Sequence, residues 1–348
     1  MKICLLAKGP SAHTQKWAEY LSEVGNEVCV LSFLPADIKG VKVIYLPPPK
    51  LPFKLGYLFL TNKVKKLLEE IKPDIVHAHF ASSYGFLGAL SGFHPFVISV
   101  WGSDIFDFPN KSILHKKLLI YTLGKADIIT ATSKMLAHET KIFCSNKNME
   151  VIPFGVDTKV FYPGKKSNMI TIICTKAFEK IYGHGYLIRA FKTVTQRFPT
   201  VKLVLVGEGS LEDELRRLVE DLGIKDKVDF LGHLEPQKLS QVLRESHIFV
   251  IPSLRETFGV SALEASASGV AVLASDIPGL KETVIEGKTG LFFEKGNVEK
   301  LAKNLLFLIE NQKLRSELAK NGREFVISKY SGENNAEDML KIYGKLKS

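Results

Sequence analysis

Short apolar runs alternate with longer amphipathic stretches along the whole chain. In the first half "KICLLA" is followed by "TQKWAEYLSEVG", "EVCVLSF" by a lysine-rich stretch ending at Lys72, and "DIVHAH" by "YGFLGALSG". "FVISVWG", a stretch from about Ile113 to Gly124, and "DIITATS" complete the series. Apolar runs bounded by turn residues predict buried strands, and apolar positions at helical spacing between them predict crossover helices. Strand, helix, strand in repetition marks a parallel sheet covered by helices.

A second series begins after "VIPFGVDTKVFYPGKKSN", a stretch rich in Gly, Pro and Lys that reads as a linker between domains. It runs through "ITIICT", "GHGYLIRAFKTVTQRF", "VKLVLVG", "SLEDELRRLVEDLG", "VDFLG", "PQKLSQVLRES", "IFVIPS" and "GVSALEASASG", with "AVLAS" as its closing strand. The expected fold class is α/β: two Rossmann-like, doubly wound parallel sheets facing a cleft. Residues 1–158 form the first domain and residues 159–328 the second.

Composition agrees with two ordinary domains. The chain has 348 residues, 45% of them hydrophobic and 24% charged, so two cores are within reach and disorder is not the default. Cys4, Cys29, Cys144 and Cys174 are scattered, with no CxxC and no histidine cluster at metal spacing. That pattern suggests a reducing compartment and no structural metal. No apolar run approaches the roughly 20 residues that span a bilayer. The opening "MKICLLAKGPSAH" reads as a buried first strand rather than a signal peptide. A cytoplasmic location is the expectation.

A net charge of +10 favours polyanionic partners: nucleic acid, an anionic lipid surface or a phosphorylated small molecule. No nucleic-acid-binding motif accompanies it, so nucleic acid is not expected. The lysines concentrate in "PPPKLPFKLGYLFLTNKVKKLLEEIK" (47–72) and "NKSILHKKLLIYTLGK" (110–125), interleaved with Leu, Phe, Tyr and Ile. Solvated faces of ordinary helices and a peripheral patch for an anionic membrane both fit this pattern.

Open parallel sheets bind ligands beyond the carboxyl ends of their strands, where loops feed helix amino termini. In "RETFGVSALEASASG", Glu256 precedes a helix that starts near Gly259, and Glu264 lies in its second turn. Ser253 or Thr257 would cap the helix, and Gly269 would end it. Free N–H groups at the helix mouth suit a phosphate. Glu264 is better placed for sugar hydroxyls beside that phosphate, and Glu256 for a second polyol. Two ordinary surface glutamates would show the same spacing. Lys176 and Lys180, in the loop after "ITIIC", are candidates to face a diphosphate and stabilise a departing one. A solvated loop explains them equally well. Gly207, in "VGEGS", belongs to a weak GxG signal between strand and helix. In the first half, His13, His79, Trp101 and Asp104 fall at strand ends and are candidates for the cleft.

Together these segments resemble the family 4 glycosyltransferases, retaining enzymes of the GT-B architecture. "RETFGVSALEASASGVAVLASDIPG" carries most of the likeness. "HAHFASSYGFLGAL", "WGSDI", "VIPFGVDTKVFYP", "LVGEGSLEDEL", "VDFLGHL" and "LKETVIEGKTGLFFEKGN" follow the family's order over nearly the whole chain. The ending "ISKYSGENNAEDMLKIYGKL" resembles the family's last helix, so residues 329–348 are expected to cross back onto the first, acceptor-binding domain. The resemblance implies that Glu264 binds the nucleotide ribose and Glu256 a hydroxyl of the donor sugar. Phe258, Gly259 and Val260 would offer backbone groups, and Lys176 would clamp the diphosphate where the family usually has arginine.

Besides Lys176, three features depart from the family pattern. Tyr182 precedes Gly183 where a second basic residue is usual, leaving Lys180 as the substitute. Trp101 stands where many members have a histidine that contacts the donor sugar, and "PSAHT" replaces the usual glycine pair of the first loop.

By this resemblance the chain moves a hexose from a nucleotide-diphosphate sugar, UDP- or GDP-linked, to a glycan or lipid-linked hydroxyl with retention, in cell-surface polysaccharide or glycolipid synthesis. No D-x-D occurs, so no metal and no other cofactor is expected. A nucleotide-sugar epimerase and a degenerate, non-catalytic carbohydrate-binding protein are the rival readings.

Overall fold

A computed structural model describes residues 1–47, 56–145 and 147–347. Residues 48–55 of the first lysine-rich stretch therefore lie outside the described residues. The chain forms two compact units, one of Met1–Phe154 with Glu333–Ser348, the other of Gly155–Gly332.

The first unit is built on β1 (Lys2–Leu6), β2 (Glu27–Ser32), β3 (Lys42–Tyr45), β4 (Ile75–His79), β5 (Phe96–Val100), β6 (Ile128–Ala131) and β7 (Met149–Val151). They pair in the order β3-β2-β1-β4-β5-β6-β7, every pair parallel. The second unit holds β8 (Thr171–Thr175), β9 (Lys202–Val206), β10 (Val228–Phe230), β11 (Ile248–Ile251), β12 (Ala271–Ser275) and β13 (Gly290–Phe293). Their order is β10-β9-β8-β11-β12-β13, again all parallel. In each sheet the winding reverses once, between β1 and β4 and between β8 and β11. Crevices for ligands open at such reversals.

Strand side chains alternate between the two faces of a sheet, and both faces here are covered. In β1, Cys4 and Leu6 join one buried cluster, which includes Val64 and Leu123 from helices Gly56–Ile71 and Ile113–Gly124. Ile3 and Leu5 join another, with Leu21 from helix Ala12–Glu23 and with Met339, Ile342 and Tyr343. The last three belong to the terminal helix Gly332–Lys347, which thus completes the core of the first unit.

The stretch read from the sequence as a linker contains the boundary between the units, at Phe154 and Gly155, and its part in the second unit is anchored. Val156 and Phe161 are buried. Val156 N–H donates to the Tyr330 carbonyl at 2.8 Å and its own carbonyl accepts from Gly332 N–H at 3.0 Å.

The terminal helix is also tied to the sheet by a polar network. The two ring nitrogens of His77 lie 2.6 Å from the Tyr343 hydroxyl and 2.7 Å from that of Ser99, which lies 2.5 Å from Thr130 Oγ1. Burial pulls His77 down to about 3, so it stays neutral. Burial likewise pulls His184 down to about 4 and holds His79 well below the ordinary histidine value. The unfolded chain binds more protons than the native state between the ordinary histidine value and these lowered ones. Stability is therefore full above about pH 6.5 and is lost as pH falls towards 4. Urea unfolding from pH 7 to 5 should show this decline. The variant His77→Gln should flatten the slope by about 1.4 kcal/mol per pH unit. An unchanged slope would remove His77 as a cause.

Candidate functional site

β8 and β11 are neighbours at the reversal of the second sheet, and the loops beyond their carboxyl ends meet. Lys176 directly follows β8. Its Nζ lies 2.6 Å from Oε2 of Glu256, and the two side chains are only 14% and 12% exposed. Burial alone would lower the Lys176 proton affinity. The charge and hydrogen bond of Glu256 outweigh it, and the ammonium is held above the usual lysine value. The cation thus persists at neutral pH, with 5.2 Å between Nζ and the centroid of the Tyr182 ring. Tyr182, where a basic residue was expected by resemblance, supplies a π-face to that cation. Lys180 lies exposed on the same short turn, Lys180–Tyr182.

Backbone packing locks these loops together. Leu254 N–H donates to the Ile181 carbonyl at 2.8 Å. Gly183 has φ +68°, and a Cβ there would lie 2.2 Å from the Pro252 carbonyl oxygen. Gly207 has φ +145°, and its Cβ would come within 2.1 Å of the Lys176 carbonyl oxygen. Close approach to that strand end is what requires glycine at 207. Glu179 reinforces the same junction by accepting from the backbone and hydroxyl of Ser210.

The helix Val260–Ala267 follows Glu256. Its cap is Gly259, at φ +79°, and no side chain caps it. This corrects the expected role of Ser253 or Thr257: the left-handed turn at Gly259 redirects the chain before either can reach the first N–H groups. Gly269, at φ +68°, does end the helix, donating to the Ser266 carbonyl at 3.0 Å. The Phe258 ring is buried edge-on against Tyr330, so only its backbone faces the loop chemistry. Val260 opens the helix, and Glu264 sits half-buried one turn further on. Among the described residues, the buried hydroxyls of Ser253 and Ser261 have no hydrogen-bond partner.

In the first unit the loops after β1, β4 and β5 gather an aromatic cluster. The His13 ring stacks on Phe154 at 4.0 Å, and Trp101 lies 5.7 Å away, edge-on. Trp101 also lies 4.7 Å from the rings of both His79 and Phe80. Phe80 holds φ +69°, a strained conformation for a bulky residue that tends to mark functional loops. Asp104 is fully buried. It accepts from the N–H groups of Ala81, Trp101 and Gly102 at 2.9, 3.1 and 2.9 Å, which fastens the two loops to each other. Burial raises its proton affinity against those three hydrogen bonds.

Two family models match this chain: Glycosyl transferases group 1 over residues 156–325 and Glycosyl transferase 4-like over residues 2–133. The chain belongs to the family 4 glycosyltransferases. An uncharacterised glycosyltransferase of Methanocaldococcus jannaschii is 28% identical over 343 residues, 97% of this chain and 95% of that one. The phosphatidyl-myo-inositol mannosyltransferase of Mycolicibacterium smegmatis is 26% identical over 96% of this chain and 89% of its own. Among solved structures, Anabaena HepE in complex with UDP-glucose superposes with a TM-score of 0.84 at 20% identity, covering 99% of this chain and 100% of that one. The GT-B architecture of this glycosyltransferase follows.

The fold brings Lys176, Glu256, Tyr182 and Gly207 together in one unit of the glycosyltransferase, and His13, His79, Trp101 and Asp104 in the other. Lys180 stands outside the ion pair. Sequence reasoning passed over Phe80 and Phe154. Both lie beside residues it selected, in "HAHFASS" and "VIPFGVD", where an aromatic at a strand end was the available signal. No group of His, Cys, Asp and Glu among the described residues could hold a metal ion. No helix among them is long and apolar enough to cross a membrane.

Proposed function

We propose that this glycosyltransferase moves a hexose from a UDP- or GDP-linked donor to a hydroxyl of a glycan or lipid-linked acceptor, with retention and without a metal. The observation that carries the reading is the buried Lys176–Glu256 pair at the reversal of the second sheet. Its ammonium, kept protonated, would stabilise charge growing on the departing diphosphate, and the free N–H groups of the helix at Val260 would add to it. Glu256 would turn to a hydroxyl of the transferred sugar. Glu264 would accept hydrogen bonds from the ribose, and the unpartnered hydroxyls of Ser253 and Ser261 would serve nearby oxygens. In the first unit, His13 and Trp101 would offer ring faces to an acceptor sugar, with the buried His79 packed against Trp101 and the loops fixed by Asp104.

Support for a lipid-linked acceptor comes from the helix Ile113–Gly124. Ile113, Leu114, Ile120 and Tyr121 are exposed there among Lys111, Lys116, Lys117 and Lys125, a composition suited to an anionic membrane surface at the cytoplasmic face. The related mannosyltransferase is named for a phosphatidylinositol acceptor.

The test is thermal unfolding with UDP, GDP, ADP and their sugars, on wild type and Glu264→Ala. At about 100-fold over Kd the right nucleotide should stabilise wild type by roughly 2.7 kcal/mol and leave the variant nearly unmoved. Product analysis with free glycans and lipid-linked sugars then reports acceptor class and anomeric outcome. Silence from every nucleotide would sink the reading.

A further inference from the structure

The second unit has a cavity at the opposite ends of its strands. Ile170, His247 and Gly269, which line it, stand just before the first residues of β8, β11 and β12. Its volume is about 830 Å³, within the range of small-molecule sites. Ile170 and Lys176 bracket β8, and six strand steps put them about 20 Å apart. The cavity is therefore separate from the loops that hold the Lys176–Glu256 pair.

Its charged lining is mostly cationic: Lys166, Arg315, Lys320 and Arg323 against Glu324. Lys166 Nζ is sealed from solvent and has no hydrogen-bond partner among the described residues. Arg315 is buried; Nη1 donates to the Leu308 and Ile309 carbonyls at 2.6 and 3.1 Å, and its other nitrogens make no hydrogen bond among the described residues. His247 Nδ1 accepts from Thr171 N–H at 3.2 Å, which leaves the proton of the neutral ring on Nε2 as a donor. Arg323 donates to the Phe161 and Ala267 carbonyls, and Lys320 stands exposed at the rim. Glu324 is the one carboxylate among the described lining residues, and it is exposed and pairs with neither Lys166 nor Arg315. Burial, then Arg315, pulls Lys166 down to about 8; burial, then Arg315 and Lys166, pulls His247 down to about 4. These three groups are close enough to repel one another, with no acid among them.

A buried ammonium left unpaired beside a buried guanidinium is unfavourable unless an anion joins them. Three donors on separate elements suit a tetrahedral oxyanion better than a planar carboxylate. Pro163, Ile170 and Ile327 add an apolar wall that a bare ion would not use. We propose that this cavity binds a small phosphorylated molecule, its phosphate held by Lys166, Arg315 and His247 and its body against the apolar wall.

Titration calorimetry of the full chain with inorganic phosphate and with a hexose monophosphate tests this. Saturable binding of both, tighter for the sugar phosphate, is expected, with a loss of about 10–100-fold in Lys166→Met. Lys166→Met removes an unpaired buried charge and should fold at least as well as wild type. His247→Phe, which loses the Nε2 donor, serves as the independent second variant. Absence of saturable binding in wild type would overturn the proposal. So would equal affinity in wild type and both variants, which would place the phosphate at the donor loops. Equal affinity for the two phosphates would remove the organic body from the proposal and leave an ion site.

Discussion

Replacing Lys176 with methionine is expected to lower transfer activity by about 10²–10³-fold, the usual effect of deleting one group that stabilises charge in the transition state. It should also lower stability by about 3–5 kcal/mol, because Glu256 is left charged and buried without its partner. The converse change, Glu256→Leu, should destabilise similarly by stranding the ammonium. Making both changes at once removes both charges, and the double variant should recover most of the lost stability, since apolar replacements of buried pairs are often neutral or better. Its activity should not recover. Urea melts and initial rates on the four proteins separate the two roles. A double variant that regains the wild-type rate would reduce the pair to a structural device.

Gly207→Ala should produce the second largest loss, without touching a charged group. Its φ of +145° is a conformation in which a side chain costs about 1–3 kcal/mol. The new methyl group would lie 2.1 Å from the Lys176 carbonyl oxygen, so the end of β8 must move. A shift of about 1 Å in a catalytic group costs on the order of 10²-fold in rate. Gly223→Ala is the control: φ is +64° but nothing lies within 4 Å of the added atom. It should cost roughly 1–2 kcal/mol of stability and leave the rate intact. Equal rates for the two variants would show that Gly207 does not position Lys176.

The strands that the sequence displays most clearly are those buried on both faces, such as "KICLL", "KLVLV" and "IFVI", where apolar runs leave little ambiguity. β3, β7 and β13 go unread because they lie at or beside sheet edges. "KVIY" has exposed ends, "MEV" is too short, and "GLFF" follows a loop of Gly and Lys. The helices Lys134–Lys141, Val298–Glu310 and Gln312–Lys329 are also missing from the sequence reading. In the second of these, Leu301, Leu305 and Leu308 recur at helical spacing and would have revealed it.

Within the site, chemistry was legible residue by residue, but partnership was not. Lys176 and Glu256 are selected separately from their loops. Their pairing depends on β8 lying beside β11, a matter of strand order that no local window contains. Gly207 illustrates the same limit. As part of a GxG it is a candidate for donor binding, and the fold also sets it against the backbone of Lys176, which no local window shows.

The terminal helix has a consequence for how this chain is made. Tyr343 is fully buried and lies against His77, and Met339 and Ile342 fill the same face of the first sheet. Domains usually close in the order in which they leave the ribosome. Here Gly155–Gly332 is contiguous and can close as soon as it has emerged, while Met1–Phe154 waits for residues after 332. The first sheet is synthesised before the second unit and finished after it, and the part of its face that Met339, Ile342 and Tyr343 cover stays open while the other unit is translated.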